Sequence, residues 1–391
     1  MNPTTAFPLA QAPDWRSIVA LNLVSALAQV AQFGICFVVL PVWLAQHGAD
    51  TLQLSLFAAS LWLGQLPGLA FAPALCRRHG AKAVILAALV CTVCALGIMA
   101  SGRPTLWLLG GLLAGLAQGL RWIGLEPWLY HIAPGHAKGR LVGFHETLIA
   151  LAPIVAPVLS TWVGFEGNAP LLLGMGFACV AALPLVAARS EARVTSPAAA
   201  GTPAWRVPQE AVFLLGAAMA LLGGMSEAAF MGMFPMYAEG RQLDVDQSAA
   251  LLSTFGLGGV LFQYVAGWLA DHRGMRFTCL LSCVCTALLA AALTLDWSLH
   301  VMHLAIFCLG GLLTAYLTLA LVACAKMQSG ALSENMRAIS LVYTLSAVGG
   351  PLLGGWAVGL GGGVALMWTL AALSAGIAAV LGGVVIRGHG T

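Results

Sequence analysis

The stretch LADHRGMR, residues 269–276, resembles LCRRHGAK at residues 75–82, at an offset of 194 residues. The same offset relates LPVWLA, which contains Pro41, to FPMYAE, which contains Pro235. A third pair, GRLVGFHETL from Gly139 and MRAISLVYTL from Met336, is separated by 197 residues. A near-constant offset over several segments indicates two copies of one structural unit, arranged as parallel repeats.

The composition predicts that both copies lie in a membrane. Hydrophobic residues make up 60% of the chain and charged residues 8%, and the mean hydropathy is +0.92, outside the range of soluble proteins. The apolar runs, about 20 to 28 residues long, can each cross a bilayer as a helix. We therefore predict an all-α membrane protein with twelve transmembrane helices in two pseudo-symmetric six-helix bundles, at 17–44, 52–75, 83–101, 105–130, 139–163, 168–188, 211–238, 247–270, 277–295, 299–326, 335–360 and 363–386.

One longer connection separates the two copies. Residues 189–209 mix charge with Pro, Ala and Ser, which is typical of a solvated linker. We predict an N-terminal bundle over residues 1–188, a cytoplasmic linker over 189–209, and a C-terminal bundle over 210–391.

The basic residues predict the orientation. Fourteen Lys and Arg residues lie at the termini or in the even-numbered loops and their flanks, whereas the odd-numbered loops contain Arg103 and Arg241. Because cytoplasmic loops carry the excess of positive charge, both termini are expected in the cytoplasm of a bacterium, with the chain in its inner membrane. The first helix is expected to be retained, since it is too long for a signal peptide. The net charge of +3 follows from this distribution and predicts no nucleic-acid partner.

The motif GWLADHRGMR, residues 267–276, resembles the loop motif between the second and third helices of each half in the major facilitator superfamily. The resemblance covers nearly the whole chain and implies a transporter whose halves rock about a site at the membrane midplane. It assigns Gly267 to close helix packing, Asp271 to a charge contact that gates the cytoplasmic side, Gly274 to a tight turn and Arg276 to closing ion contacts.

Within the superfamily the chain resembles the YcaD-like branch, with transporters for riboflavin and for copper as neighbours. The residues that carry this resemblance are LPVWLAQ at 40–46, WIGLE at 122–126, GRL at 139–141 and GWLADHRG at 267–274. The chain departs from the superfamily pattern at two positions. Arg77 stands where the first copy of the loop motif carries an acidic residue, which puts gating by that loop in doubt. Gly111 stands where many members carry an arginine, and Arg121 follows nearly three turns later.

One arginine, Arg121, and three carboxylates, Glu126, Glu146 and Glu227, lie in the predicted membrane interior. A charge near mid-bilayer costs about 3 kcal/mol or more on insertion scales, so each is a candidate functional residue that needs a partner or a watery cavity. Arg121 and Glu146 lie at nearly equal depth, which leaves open both a structural ion pair and contact of Arg121 with substrate. Glu126 lies about 140° around the helix from Arg121 and is either an interfacial carboxylate or a proton carrier.

Glu227 is a candidate proton carrier because the Lys and Arg residues in the predicted helices of its half, Lys326 and Arg337, lie at helix ends and not in the membrane interior. Burial without a cation favours the neutral form of a carboxyl group, so this residue can load and release a proton. A bound cationic substrate and a structural hydrogen bond remain the alternatives. His145, beside Glu146, is either a proton relay or a packed, hydrogen-bonded histidine.

The first helix carries a polar face made of Asn22, Ser25, Gln29 and Gln32, spaced three, four and three residues apart. By resemblance, the first, fourth, seventh and tenth helices surround the central path. The predicted substrate-binding residues are therefore Gln29, Gln32, Gln118, Arg121 and Tyr316, together with Trp122, which can stack an aromatic solute.

We predict a secondary active transporter of a small organic solute, coupled to protons and monomeric, with lipid as its surroundings. A copper(I) transporter is an alternative, because the seventh helix has five methionines, but no two are four residues apart as a two-thioether face requires. No nucleotide-binding loop or nucleophile elbow is present, so we expect neither an enzyme nor a cofactor. A membrane scaffold or receptor is a further alternative, which solute flux in vesicles would separate from a transporter.

The topology is testable by labelling single cysteines in a variant whose native cysteines are replaced. Arg103→Cys is expected to react with an impermeant maleimide added outside the cell. Arg78→Cys and Ser196→Cys are expected to react only after the cytoplasmic side is opened. If Ser196→Cys reacts with the impermeant maleimide in intact cells, the predicted orientation is contradicted.

Overall fold

The computed structural model describes residues 14–132, 138–189, 211–326 and 332–388. Within these ranges the protein is helical, and its twelve helices are long and apolar enough to cross a membrane, as predicted. They are α1 Trp15–Gln46, α2 Thr51–His79, α3 Ala81–Ala100, α4 Pro104–Ile132, α5 in two segments Lys138–Ala150 and Ala152–Val163, α6 Ala169–Ala187, α7 Ala211–Gly240, α8 Val245–His272, α9 Met275–Ala292, α10 Leu299–Lys326, α11 Leu332–Gly361 and α12 Gly363–Gly388. Of the predicted linker, Arg189 is described, and 190–209 lie outside the described residues.

The helix ends repeat at the predicted offset of 194 residues. Asp50 caps α2 and forms a capping box with Gln53, and Asp244 caps α8 and forms the same box with Gln247. The turns after α2 and α8 also match, because each contains a glycine with positive φ: Gly80 at +86° and Gly274 at +89°. The two copies therefore begin and end these helices with the same local chemistry.

Glycines bring equivalent helix pairs into backbone contact in both halves. A Cβ atom on Gly64 of α2 would lie 2.1 Å from the carbonyl oxygen of Leu112 in α4. In the second half, a Cβ atom on Gly258 of α8 would lie 1.8 Å from the carbonyl oxygen of Phe307 in α10. Small residues permit such close approach between membrane helices, where packing rather than the hydrophobic effect drives association.

Two helices depart from regular α geometry. Residues Val30–Val39 of α1 form a π-helical segment just before Pro41. A proline ring crowds the carbonyl four residues earlier, and a wider turn relieves that crowding. The fifth predicted span contains a one-residue break at Leu151, two residues before Pro153, and Phe144–Val163 still forms a single membrane-crossing segment.

The halves meet toward the end of the molecule that carries the loops 47–50 and 241–244, which we call the opposite end. The other end, where α1 begins, is called the terminal end. A Cβ atom on Gly232 of α7 would lie 2.5 Å from the Cβ of Ala58 in α2. In the second contact, the Ser253 hydroxyl of α8 donates to the carbonyl oxygen of Ile154 in α5 at 3.1 Å.

The close packing expected at Gly267 is not found in the part of the chain that the structure describes, because a Cβ atom there would meet none of its atoms within 4 Å. This contrast within α8 gives a matched test. Gly258→Ala should force α8 away from α10 and lower the Tm of the detergent-solubilised protein, at a cost of about 1 to 3 kcal/mol. Gly267→Ala should cause no loss, because alanine favours the helix and has room. Equal loss in both variants would show that the α8–α10 contact is not tight.

Candidate functional site

Arg121 lies in α4, is 2% exposed, and donates hydrogen bonds to four neutral acceptors. Its Nε donates to Gln32 Oε1 at 2.5 Å, and its Nη1 donates to Ser25 Oγ at 3.2 Å. Its Nη2 donates to Gln29 Oε1 and to Gln118 Oε1, the latter at 3.2 Å. The polar face of α1 supplies three of the four acceptors, so this face is turned toward α4.

The acceptors differ in how firmly they are held. Gln32 is fully buried, and its Nε2 donates to Thr92 Oγ1 of α3 at 2.8 Å. Gln118 is 3% exposed, and its Nε2 donates to Gln29 Oε1 at 3.4 Å. Gln29 is half-buried. The structure thus brings together Gln29, Gln32, Gln118 and Arg121, four of the predicted substrate-binding residues.

Arg121 and Glu146 do not form the ion pair that their similar depth allowed. No carboxylate oxygen of the described residues lies within 4.0 Å of the Arg121 guanidinium. Glu146 is exposed, and its Oε1 accepts a hydrogen bond from the Tyr130 hydroxyl at 2.8 Å. Equal depth failed as a guide because Arg121 turns toward the amides of α1, whereas Glu146 turns toward Tyr130.

Glu126 and His145 lie close together beside this group. His145 is fully buried, and its Nδ1 lies 3.1 Å from Asn22 Oδ1. Its Nε2 has no hydrogen-bond partner among the described residues and lies 4.0 Å from Glu126 Oε1. The Trp122 side chain forms a hydrogen bond with the Glu126 carboxylate. Trp122 itself is 39% exposed. A small movement of the His145 ring would bring its Nε2 within hydrogen-bond distance of Glu126, so that His145 would bridge Asn22 and Glu126.

Glu227 of α7 is 7% exposed, and its Oε2 accepts a hydrogen bond from the Tyr343 hydroxyl of α11 at 2.6 Å. Among the described residues, no basic nitrogen lies within 4.0 Å of its carboxylate. The expectation of a buried carboxyl without a cation therefore agrees with the geometry. Tyr343 was missed by the sequence analysis. The available signal was its repeat position, since an offset of 197 residues aligns Tyr343 with Glu146.

A row of aromatic rings runs from Tyr343 across the boundary between the halves. The Tyr343 ring lies 6.0 Å from that of Trp62 in α2, and Trp62 lies 5.0 Å from Phe37 in α1. Phe37 stacks on Phe33 at 5.3 Å. We call Arg121 and its four acceptors, Ser25, Gln29, Gln32 and Gln118, the Arg121 group. Phe33 follows Gln29 by four residues, so the aromatic row leads from Tyr343 to the neighbourhood of this group.

Tyr316 does not join these residues, and its predicted place on the central path was wrong. It is fully buried within the second half, where its hydroxyl lies 3.5 Å from the Ser282 carbonyl oxygen and 3.4 Å from Ser374 Oγ. Its backbone lies beside Gly223, whose added Cβ would lie 2.9 Å from the Tyr316 Cβ. The ring therefore turns outward, toward α9 and α12.

The loop motif of the second half forms an ion pair at the terminal end. Lys326 Nζ lies 2.9 Å from Asp271 Oδ1 and donates to the Ala270 carbonyl oxygen at 3.1 Å. Gly274 makes the expected turn with positive φ. Arg276 is exposed, and no carboxylate oxygen of the described residues lies within 4.0 Å of it, so the ion contacts expected there are not found. Asp271 is instead engaged by Lys326.

A family model described as Major Facilitator Superfamily matches residues 21–326 and, in a second match, residues 216–388. The chain belongs to the major facilitator superfamily. It is 24% identical over 340 residues to a Salmonella arizonae protein described as an uncharacterized MFS-type transporter YcaD, covering 85% of this chain and 87% of that protein. A Salmonella typhi protein of the same description is also 24% identical over 340 residues, with the same coverage. The predicted superfamily and the YcaD-like resemblance are confirmed, and the protein is a multi-pass membrane transporter of this type.

Two solved structures share the fold over nearly the whole chain. A variant of the nucleoside transporter NupG superposes with a TM-score of 0.80 at 15% identity, covering 95% of this chain and 99% of that one. A D-xylose-proton symporter superposes with a TM-score of 0.73 at 13% identity, covering 95% and 97% of the two chains. At these identities the likeness shows the arrangement of two six-helix bundles and leaves the substrate open.

The Arg121 contacts generate a stability prediction. Gln32→Leu should leave the Arg121 Nε without its acceptor in a buried site, at a cost of about 1 to 3 kcal/mol, and should lower the Tm. Glu146→Gln should leave the Tm unchanged, because the amide oxygen can still accept from Tyr130 and no ion pair is lost. Gln263→Leu, at an exposed glutamine of α8, is the control. A large fall in the Tm of Glu146→Gln would contradict this account and would indicate that Glu146 pairs with Arg121.

Proposed function

We propose that this protein is a proton-coupled secondary transporter of a small organic solute. Its two halves alternate access to a site at mid-depth, between the Arg121 group and Glu227. One observation carries the proposal: Glu227 is a buried carboxyl with a single hydroxyl donor, and that donor's ring contacts the other half. The predicted substrate path is supported by the cluster of Gln29, Gln32, Gln118 and Arg121.

The Glu227–Tyr343 pair suits a group that gains and loses a proton. A phenol hydroxyl can both donate and accept a hydrogen bond. It donates to Glu227 when the carboxyl is ionised and can accept from Glu227 when the carboxyl is protonated. In both states the carboxyl keeps a hydrogen bond to the tyrosine, so the free-energy cost of burying either state is reduced.

The same tyrosine gives the proton a mechanical consequence. Reversing the hydrogen bond between Glu227 and Tyr343 changes the preferred position of the phenol, whose ring packs edge to face on Trp62 of the other half. A proton on Glu227 therefore changes the free energy of the contact between the halves. A ligand shifts a conformational equilibrium only through such a difference between states.

The direction of opening follows from the contacts between the halves. Gly232 against Ala58 and Ser253 against Ile154 lie toward the opposite end. We assign that end to the periplasm from the distribution of basic residues. In this conformation the central site would open toward the cytoplasm, where the Asp271–Lys326 pair lies and would act in gating.

Glu126 and His145 provide an alternative proton carrier. The unpartnered Nε2 of His145 and its 4.0 Å separation from Glu126 favour this possibility. A protonated His145 would gain Glu126 as an ionic partner. This second pair lies wholly in the first half and lacks the contact across the boundary that Tyr343 provides, so we favour Glu227.

The Glu227→Gln variant tests the assignment. In proteoliposomes with an imposed pH gradient, a panel of labelled organic solutes is first used to find one that wild-type protein accumulates. Glu227→Gln should abolish accumulation, because the amide cannot exchange a proton, and should keep solute exchange at equal pH, because exchange need not discharge one. Tyr343→Phe should retain binding but weaken the response to the pH gradient.

Glu126→Gln is the matched control, since it neutralises the alternative carboxylate. Accumulation that persists in Glu227→Gln and is lost in Glu126→Gln would move the proton site to the first half. Absence of any solute flux with wild-type protein across the panel and both gradient directions would favour the scaffold or receptor.

A further inference from the structure

Gln29 holds an oxygen atom in an unusual position within the Arg121 group. Its Oε1 accepts from Arg121 Nη2 and from Gln118 Nε2, the latter at 3.4 Å. A neutral amide oxygen therefore lies between a cationic donor and an amide donor. The bond from Gln118 Nε2 joins two neutral groups, and an ionised oxygen in place of Gln29 Oε1 would make it charge-assisted and about twice as strong. We propose that the substrate is an organic carboxylate, and that one of its oxygens takes the place of Gln29 Oε1. This inference rests on the proposed transport function and names its substrate class.

The charge around Arg121 supports an anion. The guanidinium is permanently charged, and its acceptors Ser25, Gln29, Gln32 and Gln118 are all neutral. No carboxylate oxygen of the described residues lies within 4.0 Å of it, and Glu126, whose charge acts on Arg121, lies beyond that distance. The hydrogen bonds that the guanidinium donates to these amide and hydroxyl oxygens stabilise the ion without removing its charge. A bound carboxylate would add a counter-ion in direct contact with Arg121, in a region of low dielectric constant where the attraction is stronger than in water.

Gln29 is the acceptor that can be exchanged. Ser25 and Gln32 are fully buried, and Gln32 is tied to Thr92 by a second hydrogen bond. Gln118 is 3% exposed and comes from the same helix as Arg121, one turn away. Gln29 is half-buried, and rotation of its side chain would uncover Arg121 Nη2 and Gln118 Nε2 together. These are the two donors that a carboxylate needs.

The second half does not offer a copy of this site. The offset of 194 residues places Gly223 at the position of Gln29, and an offset of 195 residues places Tyr316 at that of Arg121. Gly223 carries no side-chain acceptor, and Tyr316 turns toward α9 and α12. The anion site is therefore confined to the first half, facing the end of the aromatic row at Phe33, which is also half-buried.

A purely structural group, in which Arg121 only ties α1 to α4, makes different predictions. Two variants of Gln29 separate the cases. Gln29→Ala removes the competing oxygen and leaves both donors open to a ligand. Gln29→Glu has nearly the same shape, places a fixed carboxylate against Arg121, and should occupy the site permanently.

The test measures binding to the full chain in lipid nanodiscs by calorimetry, with carboxylates and their carboxamide twins as probes: benzoate and benzamide, nicotinate and nicotinamide, indole-3-acetate and indole-3-acetamide. Wild-type protein should bind at least one carboxylate about tenfold or more tightly than its amide. Gln29→Ala should tighten carboxylate binding several-fold, Gln29→Glu should abolish it and raise the Tm, and Arg121→Lys should weaken it, because an ammonium lacks the planar fork.

Equal binding of the twins, or no binding of any carboxylate at millimolar concentration, would overturn the anion site. Carboxylate binding that Gln29→Glu leaves intact would overturn it too, since the ligand would then lie elsewhere. These outcomes are distinct from failure of the proposed function. A neutral solute that wild-type protein accumulates in a pH gradient would leave proton-coupled transport standing while removing the carboxylate as its substrate.

Discussion

A charge inside a bilayer has to be satisfied by the protein, because hydrocarbon offers it no hydrogen bonds, and the polar interior of this transporter depends on that constraint. The two halves meet it in different ways. Arg121 keeps its charge and collects neutral oxygens from α1 and α4. Glu227 has a phenol that can serve both its ionised and its neutral form. The cation and the acid remain separate, and in the proposed function the first binds substrate and the second a proton.

The duplicated scaffold explains why these groups can differ without disturbing the fold. Close contacts of α2 with α4 and of α8 with α10, and the capping boxes led by Asp50 and Asp244, are alike in both copies. The positions that face the interior have diverged. The counterpart of Glu227 at the offset of 194 residues is Phe33. Glu227 is bonded to Tyr343 at one end of the aromatic row, and Phe33 is the ring at the other end. The fold is carried by the positions that repeat, and the proposed chemistry by those that do not.

The sequence predicted much of the architecture and part of the site. Twelve helices follow from run length and hydropathy, and the polar face of α1 follows from its spacing, so Gln29 and Gln32 were found beside Arg121. Depth along a helix does not fix the direction in which a side chain turns. For that reason equal depth could not decide whether Arg121 pairs with Glu146, the central placement of Tyr316 was wrong, and Tyr343 was missed. The packing expected at Gly267 failed for a related reason, since its motif does not report how close α8 lies to its neighbours at that level.

The central claim is that a proton on Glu227 sets the balance between the two arrangements of the halves through Tyr343. Spin labels on Arg78 and Arg273, both exposed at the terminal end, allow the distance between the halves to be measured by double electron–electron resonance in nanodiscs, without a known substrate. In wild-type protein the distance distribution should change as the pH is varied, and in Glu227→Gln it should be independent of pH. A variant that keeps the full pH-dependent change would contradict the account.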